Sequence, residues 1–396
     1  MNELSLRVLN MLSTVRRATS VGMQQTTGAV RSTLARCAAA RLLSTVPAGV
    51  ESPGTIGLPP LGSTATFLRA RFACTEDEVL GAEHSLLSNQ VHPGIDPAQV
   101  NPGIDPARAA NTCDSLQSLL SLSELELKKV VLTLPAMLGY SYEANIAPSL
   151  VALQWRLSLS VPELKRVVLR HPQVLGYSFE ADIEPSLAKL VTRLSLKKPD
   201  LRRMVLKLPE LLGYSYKADI APSLAKLQAR LSLSEPELSQ VVVKTSAVIS
   251  CSFETSIAPL LAALQSRLSL SELELKTVVV TLPNVLGFSY DDNIKPTLAF
   301  LETEFRLTPD ELKDRVVANP ALLSTSLELR YRPRVALASA LGVSEFVLNP
   351  AAMYTDLKFM TWLRKRERLG LADEDWEALC ALPLMERADR VNTKPR

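Results

Sequence analysis

The chain has 396 residues, 47% of them hydrophobic, with a formal net charge of +3, and that apolar share excludes a disordered chain. Cys37, Cys74, Cys113, Cys251 and Cys380 stand singly without a CxxC pair, and His84, His92 and His171 lie apart, so neither a disulfide framework nor a metal site is expected. Every long apolar run is broken by proline or charge, so no membrane span is expected either.

In chain order, residues 1–50 hold Arg7, Arg16, Arg17, Arg31, Arg36 and Arg41 against Glu3 alone, among Ser, Thr, Ala and Leu. This is the composition of an organelle transit peptide and points to the mitochondrion, with the plastid as alternative; an uncleaved disordered arm would share it. Without these residues the formal charge is about −2, so global charge is no argument for a polyanionic partner. Residues 51–108, from ESPGTIGLPPLGST to the tandem HPGIDPAQV and NPGIDPARA, read as a Pro/Gly-rich linker.

Over residues 109–345 one phrase is copied: TLPAMLGYSYEANIAPSL, RHPQVLGYSFEADIEPSL, LKLPELLGYSYKADIAPSL. Its first proline falls at Pro135, Pro172, Pro209, Pro283 and Pro320, with Ser246 in the fourth copy, and its second at Pro148, Pro185, Pro222, Pro259, Pro296 and Pro333, always 37 residues apart. A fixed period without insertions means a stack of equivalent modules. Ser160 followed by Glu163 is a capping box that starts a first helix, and Pro172 ends it. The same box recurs as Ser123/Glu126, Ser234/Glu237, Ser271/Glu274 and Thr308/Glu311, and is lost only at Lys197/Asp200. Gly139, Gly176, Gly213 and Gly287 sit where a chain reversal at positive φ is expected. The serine that follows, such as Ser178, is expected to cap one tight turn. A second helix then begins at Asp182 or its equivalents, with an early proline and the stripe Ile183, Leu187, Leu190, Val191, Leu194. The fold class is therefore all-α, a solenoid of about six 37-residue repeats. Residues 346–396 read as a helical cap with a basic and acidic tail: Lys358, Arg364, Lys365, Arg366 and Arg368 surround Trp362 before DEDWEAL.

The two prolines thirteen residues apart around an LGYS-like turn, and the lead-in xLSxxELKxVVLxxP, resemble the mitochondrial transcription termination factor (mTERF) family over residues 120–335. The resemblance implies a curved superhelix of helix–helix–3₁₀ repeats that is organellar and binds nucleic acid. In that family the usual partner is duplex DNA in termination or initiation of transcription; some members act on RNA in intron splicing or ribosome assembly, sometimes with a protein partner. It carries over no catalytic residue, and no Gly-rich phosphate loop, catalytic carboxylate pair or cofactor motif is visible, so no enzyme and no cofactor are expected.

In a periodic stack, a polyanion surface should show as cations at one repeat position. The first helix offers Lys128, Lys165 and Arg202, then the neighbouring row Lys129, Arg166 and Arg203, and one turn on Arg170, Lys207 and Lys244. The second helix offers Arg156, Arg193, Arg230 and Arg267. Residues 156–207 hold eleven basic and five acidic residues, which places the expected phosphate contacts in modules two and three. The competing expectation is that these cations only cover helix edges and complement helix dipoles. The chain is thus expected to be a monomer that clamps duplex DNA, with RNA or a protein scaffold role as alternatives.

Overall fold

A computed structural model of the chain describes residues 61–87, 105–343 and 354–393, so the transit-peptide reading of residues 1–50 lies outside it. Among the described residues every regular element is helical, and no helix is long and apolar enough to cross a membrane.

Module two shows how sequence makes the repeat. The Ser160 amide donates to Glu163 Oε2 at 2.9 Å and the Ser160 hydroxyl to the same oxygen at 2.8 Å, which closes the first turn of helix Val161–Arg170. Pro172 disfavours helical backbone at His171, whose φ is −139°, and the helix stops there. A 3₁₀ turn, Pro172–Gly176, follows, and then a π turn, Phe179–Ile183. The Ser178 hydroxyl accepts from the Ala181 amide at 3.2 Å, the Asp182 carboxylate accepts from the Ser178 amide at 2.8 Å, and the Ile183 amide reaches back five residues to the Ser178 carbonyl at 3.3 Å. Pro185 supplies the reason for the wide turn: its ring excludes the carbonyl four residues upstream, and the turn opens to clear it. The second helix, Glu184–Leu194, then runs regularly.

Two expectations need correction here. The turn capped by Ser178, expected to be tighter than an α-helix, is a π turn, and the second helix starts at Glu184; Asp182 belongs to the π turn, where it caps Ser178. The glycines of LGYS do not supply the left-handed residue. In these repeats positive φ falls instead on the residue after the second helix, Ser121, Ser158, Ser195, Ser232, Ser269 and Arg306, at 48–51°. There the Leu159 amide closes on the Gln154 carbonyl at 3.0 Å and the Ser158 amide on Trp155 at 3.3 Å, a bonding pattern that offsets the strain of about 1–2 kcal/mol for a non-glycine residue. Gly213 is needed for space: a Cβ there would stand 2.5 Å from the hydroxyl of Tyr177 in the preceding module.

Modules hold each other chiefly by apolar burial. Leu164, Val167 and Val168 of the first helix and Leu187, Leu190 and Leu194 of the second are buried, each contributing roughly 2 kcal/mol. Hydrogen bonds set the register between neighbours: the Ser149 hydroxyl accepts from the Phe179 amide at 3.2 Å, and Ser186 from Tyr216 at 3.1 Å.

The linker expected over residues 51–108 is partly folded: Leu61–Phe72 and Glu76–Leu87 are helices, and the next starts at Pro106. Between the first two, Ala73 has φ 48° and Thr75 and Glu78 form a capping box at 2.9 and 3.3 Å. This is the corner of one further module copy. The Pro/Gly-rich stretches on either side outweigh it when composition is averaged. The tandem PGIDP motif lies largely outside the described residues.

The chain divides into two compact units between Ser250 and Cys251, in the module-four corner where Ser246, Ser250 and Cys251 stand in place of proline, glycine and tyrosine. In the C-terminal unit, helices Asp356–Arg364, Asp373–Ala381 and Leu384–Asn392 enclose a core with Arg332–Ala340, built from Leu337, Leu341, Phe359, Leu363, Leu379 and Ala388. Trp362 is buried in that core, and Arg364 pairs with Glu367 and Asp373, both at 2.8 Å.

Candidate nucleic-acid interface

The structure sorts the repeated cations by partner. The first row on the first helices is an inter-module staple. Lys128 pairs with Glu78 at 2.8 Å, Lys165 with Glu126 at 2.7 Å and Arg202 with Glu163 at 2.7 Å. Lys313 pairs with Glu274 in the same way at 3.0 Å. Each acceptor is the capping-box glutamate of the preceding module, so one carboxylate starts its own helix and anchors the next. The cations on the second helices are likewise engaged: Arg156 bonds Glu184 at 2.9 Å, Arg193 bonds Glu235 and Gln228, and Arg267 bonds Glu302. Arg230 is half-buried at the equivalent position.

These staples depress the glutamates. The Arg202 guanidinium, followed by the Ser160 amide and hydroxyl, lowers the Glu163 carboxyl to about 2. The Ser271 amide and hydroxyl, then Lys313, lower Glu274 to about 2. Because the folded-state values lie below the unfolded value near 4.3, their contribution is complete above that value and is lost as pH falls through the window from there to about 2. The expected result is a melting temperature that declines across this window and declines less steeply in Glu163→Gln; identical acid profiles in a thermal melt series would contradict it.

The other two rows keep their charge. Lys129, Arg166 and Lys244 are exposed, and Arg203 is exposed beside Asp200 of its own helix at 3.2 Å. Arg170 donates to the carbonyls of Leu206 and Lys207 at 3.2 and 3.1 Å, and Lys207 to the Lys244 carbonyl at 3.2 Å. A carbonyl at a helix C-terminus holds a cation without neutralising it. Partial burial, then the Arg203 charge, push the Lys207 ammonium below its ordinary value.

Two open clefts lie on this surface. One of about 370 Å³ is lined by Arg166, Pro199, Arg202, Arg203, Leu206 and Lys207, four cations and no acid. The other, about 510 Å³, shares Arg203 and adds Arg193 and Lys244, with Asp200 and Glu235 on its wall. Of the sequence-expected residues, the structure therefore gathers Arg166, Arg203, Lys207 and Lys244 around adjoining clefts, and engages Lys128, Lys165, Arg202, Arg156, Arg193 and Arg267 in packing between neighbouring segments.

At the LGYS corner Tyr140 and Tyr177 are buried, and burial raises both phenols above their ordinary value. His171 contacts the Tyr177 hydroxyl at 3.3 Å. Sequence reasoning passed over Trp155, which is 79% exposed, and over Lys198, whose Nζ lies 5.7 Å from its ring centroid. The signal available was its repeat equivalents, Thr192, Ala229, Ser266 and Thr303, which are all small.

Comparison with curated proteins finds no match. The mTERF family model matches residues 164–359, from the first helix of module two to the buried Phe359 of the C-terminal core. The upstream copy of the same module, with its Ser123/Glu126 box and its Pro135 and Pro148 corner, continues the period in register. The chain is a helical-repeat protein and belongs to the mTERF family.

Proposed function

We propose that this protein binds nucleic acid in the mitochondrion through the cationic clefts of modules two and three, and acts on transcription by holding duplex DNA in the path of the polymerase. The observation that carries the proposal is the cleft where Arg166, Arg203 and Lys207 converge with no acidic residue on its wall, Arg202 beside them being held by Glu163. Its neighbours Lys244 and Arg170 extend the cationic edge along the repeat direction, which suits a polyanion with regularly spaced phosphates. Membership of the mTERF family supports the choice of nucleic acid, and the arginine-rich first fifty residues support the organelle. A second reading, an RNA strand, is favoured by the exposed Trp155, because unpaired bases stack on aromatic side chains and paired ones do not.

The test is equilibrium binding of the full chain to a mixed-sequence duplex and to single-stranded RNA of the same sequence between 50 and 200 mM salt. Affinity is expected to fall about tenfold or more over that range, since even three to four phosphate contacts give a steep logarithmic slope. Salt-independent binding, or none at 50 mM, would contradict the proposal.

A further inference from the structure

We infer that Trp155, with Lys197 and Lys198, forms a stacking platform for an unpaired base, and that the protein therefore engages a single-stranded segment at the module-one edge of the cationic cleft. This rests on the nucleic-acid reading above and deepens it.

The indole lies near the end of helix Ala147–Leu157 and is 79% exposed. Val151, one turn earlier, is 57% exposed, so the two form a local apolar patch. Packing gives no reason for tryptophan here, because the other modules place threonine, alanine or serine at the same position without loss of the fold. Lys198 comes from the first turn of the module-three helix and lies over this ring, its Nζ 5.7 Å from the centroid and 3.2 Å from the Trp155 carbonyl oxygen. Module three is the one that begins with Lys197–Lys198; the corresponding pairs are Ser123–Glu124, Ser160–Val161, Ser234–Glu235, Ser271–Glu272 and Thr308–Pro309. Trp155 and Lys198, which touch, thus both depart from the repeat.

The charge decides the occupant. An apolar patch for a protein partner has no use for two adjacent exposed lysines, whereas a nucleotide presents a π face and a phosphate within one residue's length. Continuity points the same way. Pro199, the next residue after Lys198, lines the cleft with Arg166, Arg203 and Lys207, so a strand whose phosphates lie in that cleft can turn one base onto the indole. RNA and single-stranded DNA share this chemistry.

The test is fluorescence anisotropy of the full chain with labelled twelve-nucleotide RNA, DNA of the same sequence, and the blunt duplex, using wild type, Trp155→Ala, Trp155→Phe and an Arg166→Gln/Arg203→Gln variant. Trp155→Ala is expected to weaken single-strand binding about tenfold, the size of one lost base stack, and duplex binding less than twofold. Trp155→Phe should restore most of the loss, and the two single strands compared with each other name the source. Equal losses for strand and duplex, or no loss, would overturn the platform. If Arg166→Gln/Arg203→Gln weakens binding while Trp155→Ala does not, the platform fails alone and the patch belongs to a protein. If wild type binds none of the three at 50 mM salt, the cleft reading fails, and the platform with it.

Discussion

Replacing Asp356 with alanine is expected to destabilise the C-terminal unit by about 2–3 kcal/mol, toward the low end for a broken buried pair because the carboxylate itself is half exposed. Its partner Arg334 is fully buried, donating to Asp356 Oδ1 at 2.6 Å and to the Tyr354 carbonyl at 2.9 Å, with the guanidinium 4.8 Å from the centroid of the Phe359 ring. Burial lowers the Arg334 pKa from its ordinary value and the Asp356 charge opposes that shift, so the carboxylate is what makes a charged side chain tolerable in this core. Removing it leaves a desolvated cation, whereas removing both partners does not. Arg334→Met in the Asp356→Ala background should therefore recover most of the loss. Denaturant unfolding followed by emission of the buried Trp362 reads both variants. A harmless Asp356→Ala would show that the pair contributes nothing beyond apolar packing.

Neutralising Arg166, Arg203 and Lys244 together to glutamine is expected to lower duplex affinity about 100-fold at 0.15 M salt, from three lost phosphate contacts at roughly 0.9 of logarithmic slope each. The fold should not change. None of the three holds a neighbouring module through an ion pair, and Arg203 pairs only within its own helix, so each substitution is expected to stay within about 0.5 kcal/mol. Gel-shift titration beside a thermal melt separates the two effects. An unchanged affinity would mean that these exposed cations are solvated helix edges.

The period, the helix starts and the helix stops were legible because each rests on local chemistry that sequence states outright: Ser160 with Glu163, Pro172, and the spacing of Leu187, Leu190 and Leu194. The π turn was not, because it is the consequence of Pro185 acting on a carbonyl upstream, and a tight turn satisfies the same residues on paper. The left-handed residue was assigned to glycine, the residue that adopts it without strain, while the chain places Ser158 there and uses Gly213 to admit the Tyr177 hydroxyl. For the site, periodicity found every repeated cation and could not rank them. Lys165 and Arg166 are adjacent in sequence; one reaches Glu126 of the preceding module and the other faces solvent. Only the stacking of one module on the next separates a staple from a surface charge. Trp155 was missed for the opposite reason, since a search for what repeats overlooks what occurs once.

That division of labour among the cations is the central claim, and the salt dependence of duplex binding tests it most directly, measured on two triple variants of the full chain. Lys128→Met/Lys165→Met/Arg202→Met removes three staples, and Arg166→Gln/Arg203→Gln/Lys244→Gln removes three surface charges. The staple variant should melt lower yet keep a slope close to that of wild type. The surface variant should keep its melting temperature and lose between two and three units of slope. The reverse outcome, with the slope falling in the staple variant and unchanged in the surface variant, would place the phosphate contacts on the ion-paired rows and contradict the account.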